Sequence, residues 1–237
     1  MRVVFLALAL LLLLLLPLSA LAAPPKPFSA DYQVLRNGER LGQANIDFSP
    51  SGAGLWQLHT HTHGSDGLAA ILGADVDERS LLRWNGNAPE TVDYSYRQEL
   101  GWKTRERSLR IDAAHHSVVS RDKDRQYSPP YRPGLLDRHA ITVAMMQDLA
   151  SGRRGELTYV VPNRNDIEEQ HYRIADTTSV ATPFGNLPAV RVERVRDSGD
   201  GRSTTIWFAS SRDYLPLRIM QREPNGETIE MQIVSVR

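Results

Sequence analysis

The chain of 237 residues contains no cysteine. This absence excludes the acylated cysteine of a lipoprotein, a disulfide, a thiolate metal site and a thiol nucleophile. Three catalytic signatures are absent as well: a Gly-x-Ser-x-Gly elbow, a His-Glu-x-x-His pair and a glycine-rich loop for phosphate. The fold must therefore be stabilised by its apolar core, and the sequence favours a binding protein over an enzyme.

An excess of either charge is also missing. The chain has 28 Lys and Arg residues against 28 Asp and Glu residues. Arg2 is the only charged residue before Ala23, so residues 23–237 contain 27 basic and 28 acidic side chains. This balance gives no overall attraction to nucleic acid or to anionic lipid, and no nucleic-acid partner is expected.

A single long apolar run is present, from Val3 to Leu16. With Arg2 before it and the small residues Ser19–Ala23 after it, the run has the three-part layout of a secretory signal. Its length of 14 residues is too short for a comfortable bilayer span, which needs about 20.

The Ala-x-Ala pattern at Ala20 and Ala22 predicts cleavage before Ala23. Residues 1–22 would then be removed as the signal peptide. Residues 23–237 would form a single β-rich domain in the periplasm, without a transmembrane anchor. An uncleaved membrane anchor is the alternative.

Alternation of apolar and polar side chains predicts β-strands along most of the remaining chain. Phe28, Ala30, Tyr32 and Val34 alternate in this way, and the Asn37-Gly38 pair that follows favours the positive φ angles of a tight hairpin. Similar patterns predict about a dozen strands in an up-and-down meander. Turns are predicted at Ser49–Gly54, Asn85–Asn87, Asp197–Gly201 and Pro224–Gly226.

One segment, between Gly134 and Gly152, has apolar residues at helical spacing. The residues that follow this spacing are Leu135, Leu136, His139, Ile141, Val143, Met146 and Leu149. The pattern predicts one long helix. The predicted fold is mostly β, a large curved antiparallel sheet or incomplete barrel with the helix packed on it. A two-sheet β-sandwich is the alternative.

The most unusual local pattern places His59, His61 and His63 in alternation with threonines. On a strand these histidines share one face, with successive residues of that face about 6 to 7 Å apart. Two imidazoles could therefore bind one zinc or copper ion with a third ligand from another strand. A solvated polar face is the alternative. The three histidines are kept as metal candidates, and no catalytic residue, cofactor-binding residue or cofactor is assigned.

Other polar clusters have simpler interpretations. Asp137 and His139 lie at the start of the predicted helix, where aspartate is favoured for capping. Asp75 and Asp77 are ordinary surface acids unless the fold brings them to a cleft.

A basic stripe is formed by Lys103, Arg105 and Arg107, which share one face of a predicted strand. Such a stripe could contact phosphate or a lipid headgroup. A solvated face that blunts an edge strand is the alternative. Three acids close in sequence could neutralise the stripe: Asp93, Glu99 and Glu106.

Several segments carry a resemblance to a known family. They are Phe28–Val34, with Gly38, Gly42 and Gly64 after it, and then Thr182–Val190, Ile206–Phe208 and Tyr214–Arg218. These segments resemble the exported bacterial family called domain of unknown function 3108 (DUF3108), over most of the chain. The resemblance implies a fold more than a site, because residues such as Pro183, Gly185 and Pro216 suit turns and strand starts. The family is similar in outline to periplasmic lipoprotein carriers, which hide acyl chains in an unclosed barrel.

Three hypotheses of function remain open. The first is a non-catalytic periplasmic protein that binds an apolar or amphipathic, lipid-like ligand, or a cell-envelope partner, in the hollow of its sheet. It predicts a large apolar cavity rather than a filled core. The residues that could line the hollow are Trp56, Trp84, Tyr94, Tyr96 and Trp207.

The second hypothesis is a metal- or carboxylate-dependent hydrolase of envelope material. It requires at least two of the three candidate histidines to converge with another ligand in an open cleft. The third is a structural or assembly factor that uses an exposed strand edge, which predicts an unprotected edge and no pocket.

Overall fold

The computed structural model describes residues 24–86, 88–196 and 201–237. The predicted signal peptide at 1–22 and its cleavage site lie outside these residues. So do Asn87 and the greater part of the turn predicted at Asp197–Gly201.

Fourteen strands among the described residues form one antiparallel sheet. Their bounds are β1 Phe28–Arg36, β2 Glu39–Gly52, β3 Leu55–Gly64, β4 Asp75–Asn85, β5 Ala88–Leu100, β6 Lys103–Asp112, β7 Ser117–Asp122, β8 Arg125–Tyr127, β9 Glu156–Asn163, β10 Asp166–Thr182, β11 Gly185–Val195, β12 Ser203–Ala209, β13 Leu215–Arg222 and β14 Thr228–Val236. The hairpin predicted between β1 and β2 is confirmed, with φ angles of 52° at Asn37 and 82° at Gly38.

The two ends of the described chain meet in the middle of the sheet. β1 pairs with β2 on one side and with β14 on the other. The edges are therefore mid-chain strands, β8 and β9, which are not paired with each other. The predicted large antiparallel sheet is confirmed as a single unclosed sheet, and the two-sheet sandwich is not formed.

The prediction of one long helix is wrong. The described residues contain two short helices, α1 at Gly67–Ile71 and α2 at Ile141–Ala150. The segment before α2 is not helical because its polar groups bond elsewhere: the Leu135 carbonyl accepts a hydrogen bond from the Thr91 amide, and the Leu136 amide donates to the Val160 carbonyl. Neither described helix has the length and apolar character needed to cross a membrane.

Residues 134–136, the bridging segment, therefore connect β5 to the edge strand β9. Leu135 pairs with Val160 in a parallel bridge. Leu135 and Leu136 are buried, which is why they contribute to the apolar pattern although they are not in a helix. The bridging segment partly covers the edge of β9.

Helix α2 lies in the interior, enclosed by the sheet. Its buried side chains include Met145, Met146 and Leu149, none more than 1% exposed. They form one cluster with residues from strands at both ends of the chain, so the sheet must curl around the helix. Trp56 and Trp84 pack on Phe48 at ring-centroid distances of 5.0 and 6.0 Å. The interior at α2 is thus filled by side chains.

Candidate functional site

A polar cleft of about 270 Å³ lies beside the filled core. β5, β6 and β7 form one wall, and β9 with the turn after it forms another. The floor contains Asp137, which follows the bridging segment. Five arginines line this arginine cleft: Arg105, Arg107, Arg121, Arg138 and Arg164.

Strand alternation explains why Arg105 and Arg107 face the cleft. Leu109, two residues further along β6, is buried in a small apolar cluster beneath the cleft, and side chains two apart on a strand share a face. β6 pairs with β5 and with β7, so it is not an edge strand. The interpretation of these arginines as protection of an edge is therefore wrong.

The acids expected to neutralise the stripe bond to other arginines. Glu99 and Glu106 bond to Arg97 at 2.6 and 3.2 Å. Asp93 bonds to Arg110 at 3.2 Å. These pairs belong to the opposite face of the strands, because their residues alternate with Arg105 and Arg107.

Within the cleft, Asp122 is shared by two arginines. Its carboxylate lies 3.6 Å from the Arg105 guanidinium and 3.5 Å from Nε of Arg107. Nε of Arg107 and Oδ1 of Asp122 are both buried, yet neither has a hydrogen-bond partner among the described residues. The Arg107 guanidinium also lies over the ring of Tyr96, 5.7 Å from its centroid. Arg107 and Asp122 therefore form an ion pair without a hydrogen bond at Nε and Oδ1, and a guanidinium has further donors that can bond to an anion.

The other three arginines of the cleft have few acidic partners. Arg138 bonds to Glu168 at 3.3 Å, and Arg121 bonds to the neutral Gln126. Arg164, in the turn after β9, forms no ion pair with any residue of the described ranges. The lining has five cations against the two carboxylates of Asp122 and Asp137, and Glu168 adds a third carboxylate beside Arg138, so the cleft keeps a positive balance.

A hydrogen-bonded network lies under the cleft and includes Asp137, the residue predicted to cap the helix. Oδ1 of Asp137 accepts hydrogen bonds from the amides of His139 and Ala140, both at 2.9 Å. These bonds close the turn before α2, whereas the N-cap residue of the helix is Ala140, which has no side-chain cap. The hydroxyl of Thr91 donates to Oδ2 at 2.8 Å and accepts from the Asp137 amide at 2.9 Å. The hydroxyl of Ser80 donates to Oδ1 at 2.9 Å.

His139 completes this network in one tautomer. Its Nδ1 lies 2.9 Å from the Ser80 hydroxyl, and its Nε2 lies 2.8 Å from the Thr60 hydroxyl. Because Ser80 donates to Asp137, Nδ1 must carry the proton and Nε2 must accept from Thr60. Burial lowers the pKa of His139 to about 4, although the Asp137 carboxylate opposes this shift. His139 is therefore neutral at pH 7.

The network has Ser, His and Asp members but not the properties of a catalytic triad. Ser80 is 0% exposed and Asp137 is 2% exposed, so no substrate can reach the hydroxyl. Burial raises the pKa of Asp137, and this outweighs the effects of His139 and of the hydrogen bonds. The arrangement ties the start of α2 to β3, β4 and β5.

A second buried carboxyl lies beside the cleft. Tyr94, which lines it, donates its hydroxyl to Glu78 at 2.6 Å. Burial raises the pKa of Glu78, opposed by the Tyr94 hydrogen bond and by the charge of Arg107.

The three candidate histidines lie away from the cleft. His59 bonds to Asp77 at 2.8 Å, and His61 bonds to Asp75 at 2.8 Å. His63 lies 3.7 Å from the same Asp75 carboxylate. The structure thus brings Asp75 and Asp77 to the histidines, a pairing the sequence interpretation missed because it depends on the register of β3 and β4. No group of three or more His, Asp or Glu side chains in the described ranges could hold a metal ion, and metal binding stays a prediction.

The five aromatic residues proposed to line a hollow are divided between two places. Trp56 and Trp84 fill the core, and Trp207 packs against the core and under the Arg218 guanidinium, 4.8 Å from its ring centroid. Tyr94 and Tyr96 lie at the arginine cleft.

Comparison with known structures identifies relatives in fold. The chain is similar to a β-barrel-like protein of domain of unknown function DUF1849 from Brucella abortus, with a TM-score of 0.57 and 7% identity over 90% of this chain and 98% of that one. It also aligns with a protein provisionally assigned as a lipoprotein from Parabacteroides distasonis, with a TM-score of 0.38 and 9% identity over 90% and 97% of the two chains. No curated protein matches the sequence.

The family model described as "Protein of unknown function (DUF3108)" matches residues 28–234. This range contains β1 to β13 in full and β14 except for its last two residues. It also contains α2 and the arginine cleft. The chain therefore belongs to the DUF3108 family.

Proposed function

We propose that this protein is a non-catalytic periplasmic binding protein whose cleft holds the anionic group of an amphipathic ligand. The observation that carries the proposal is the arginine cleft, whose lining holds five guanidinium groups against two carboxylates. Guanidinium groups bind phosphate and carboxylate through paired hydrogen bonds. The ligand would therefore present a phosphate or a carboxylate.

The filled core supports an anionic site over a purely apolar one. The space around α2 is occupied by a continuous cluster of buried side chains. An acyl chain would have to displace these side chains, at a cost of lost packing. The cleft instead offers charged groups and the phenol rings of Tyr94 and Tyr127. We expect any apolar part of the ligand to remain outside the cleft.

The Ser80, His139 and Asp137 network gives no support to a catalytic role. The hydroxyl of Ser80 is enclosed, and the candidate histidines lie away from the cleft. An assembly factor that pairs through a strand edge has less support, since β8 has three residues and the edge of β9 is partly covered. The proposed location in the periplasm rests on the signal peptide expected at residues 1–22.

Native mass spectrometry of the protein purified gently from periplasm is the first experiment. A bound anionic molecule, identified after denaturing extraction, would support the proposal. A protein that is consistently empty, and that also fails the titration below, would contradict it.

Titration with a defined probe tests the cleft directly. We expect dodecyl phosphate to bind more tightly than dodecyl maltoside, which has a neutral headgroup. Replacing Arg164 by Gln, or Arg107 by Gln, should weaken binding at least about tenfold, because one charge-assisted contact contributes about 1.5–3 kcal/mol. Arg110→Gln, on the opposite face of β6, is the matched control. Equal affinity in all variants would contradict an anionic site in this cleft.

A further inference from the structure

Four large apolar side chains are exposed together at one place on the surface. Trp102 is 88% exposed, Ile71 80%, Leu100 41% and Leu72 38%. They are four of the seven large apolar residues that are exposed in the described ranges. Ile71 and Leu72 lie at the end of α1, whereas Leu100 and Trp102 flank the turn between β5 and β6.

A backbone hydrogen bond joins these two segments. The amide of Gly101 donates to the carbonyl of Leu72 at 2.7 Å. Gly101 has a φ of 58°, a left-handed conformation that a side chain would strain. The bond brings the end of α1 next to the β5–β6 turn, and we name these four exposed residues the apolar tip.

Cationic side chains border the apolar tip. Lys103, Arg105 and Lys123 line the same surface depression as Leu100 and Trp102. The overall charge of the chain is balanced, so this is a local enrichment.

The nearby acids cancel these cations only in part. Glu99 and Glu106 bond to Arg97, and Asp122 lies 3.6 Å from Arg105. The turn between β7 and β8 consists of Lys123 and Asp124 and carries no net charge, so the excess positive charge at the depression comes from Lys103 and Arg105.

We propose that the apolar tip inserts into the surface of a bilayer that contains anionic lipid. Tryptophan favours the boundary between headgroups and acyl chains, and neighbouring leucine and isoleucine side chains add apolar area. Lysine and arginine at the border would contact anionic headgroups. Four side chains form too small a patch for a stable protein interface, which buries about 800 Å² on each partner.

Arg105 links the surface of the apolar tip to the arginine cleft. Arg105 lines both the cleft and the depression at the apolar tip. A bilayer bound at the tip would therefore lie close to the cleft. Membrane binding does not depend on the proposed ligand, and the two are tested with different variants.

Vesicle flotation of the protein purified from periplasm tests the proposal. The protein should float with vesicles of phosphatidylcholine that contain phosphatidylglycerol, and much less with vesicles of phosphatidylcholine alone. Combined replacement of Trp102 and Ile71 by Ser should reduce the bound fraction at least about tenfold, because the apolar area is lost. Phe184→Ser, at the tip of the β10–β11 hairpin and 36% exposed, is the matched control and should bind like the unaltered protein.

Tryptophan fluorescence provides a second measurement, and its main result comes from the unaltered protein. Addition of the anionic vesicles should shift the emission of the unaltered protein to shorter wavelength, and Trp102→Phe should abolish the shift. Arg164→Gln should keep both vesicle binding and the shift, which separates this proposal from the cleft. Failure of the unaltered protein to float would overturn it, as would equal flotation of the Trp102/Ile71 variant. Self-association through Trp102 without vesicle binding would overturn it in favour of a second copy.

Discussion

At the scale of single residues, the polar network under the cleft has one consistent arrangement of protons. Thr60 donates to His139, His139 donates to Ser80, and Ser80 donates to Asp137. Each hydroxyl is oriented by the next acceptor, and the buried carboxylate ends the series. A proton added to His139 would remove the acceptor that Thr60 uses.

This arrangement predicts that acid destabilises the protein through His139. Its folded pKa of about 4 lies below the value of about 6.5 for an unfolded chain. Between these pH values the unfolded state binds a proton that the folded state does not. The free energy of unfolding should therefore decrease as the pH falls from about 6.5 to about 4, by up to about 3 kcal/mol.

Urea denaturation at a series of pH values measures this effect. His139→Gln should be less stable at pH 7 but should have a flatter pH dependence than the unaltered protein. The raised pKa of Asp137 acts in the opposite sense, adding stability as the pH falls through its folded value. His171→Gln, at a more exposed position, should leave the slope unchanged. Identical slopes for all three proteins would show that His139 is not the responsible group.

Gly42 shows why a residue of the family pattern must be a glycine. It pairs with Gly64 between β2 and β3. A Cβ atom at Gly42 would lie 2.2 Å from the His63 carbonyl, and one at Gly64 would lie 2.8 Å from Cβ of Ala69. The sequence resemblance included both glycines, but the reason for them is a backbone approach that no local pattern encodes.

At the scale of elements, the bridging segment replaces part of the helix that the sequence predicted. The alternation of Phe28–Val34 was enough to predict β1, since a strand buried on one face has a fixed period. Apolar spacing before α2 was not enough, because Leu135 and Leu136 are buried by the sheet and not by a helix. Which neighbour buries an apolar residue is a tertiary property.

The cleft was predictable only in part for the same reason. Arg105 and Arg107 were identified as a stripe from one strand. Arg121, Arg138 and Arg164 come from separate elements, and only the strand order brings them to the same place. The pairing of Arg97 with Glu99 and Glu106, which leaves the stripe uncompensated, depends on which face each residue occupies.

The Thr91 side chain is predicted to be the main contact that holds Asp137, directly after the bridging segment, to β5. Thr91→Val would remove the hydroxyl that bonds to Oδ2 and to the amide of Asp137, and both groups are buried. Loss of such bonds costs about 2–4 kcal/mol of unfolding free energy. Thr104→Val, at an exposed position of β6, should change stability by less than about 0.5 kcal/mol. Urea denaturation of both variants measures the difference, and equal stabilities would contradict the assigned role.

At the scale of the whole molecule, the order of strands in the sheet is a circular permutation of their order in the chain. From edge to edge the sheet reads β9 to β14 and then β1 to β8. The backbones of Ser29 and Arg237 are hydrogen-bonded, with Arg237 donating at 2.8 Å. The two ends of the described chain are therefore close enough to be joined.

A permuted chain that starts at Pro133 and ends at Arg132, with Arg237 joined to Phe28 by a short glycine linker, should fold to the same sheet. All strand neighbours would then be consecutive, which lowers the mean sequence separation of contacts. Refolding should be faster, while the unfolding free energy should remain similar. Stopped-flow refolding compares the two chains, and a slower or misfolded permutant would contradict this account of the topology.

The meeting of β1 and β14 has a consequence for the order in which the sheet can form during synthesis. The first strand to appear has one partner that follows at once and another that appears last. The half sheet from β1 to β8 can form early by hairpins, but one side of β1 stays open until the final residues are released. In this strand order the last pairing to form, between β1 and β14, joins the two halves of the sheet.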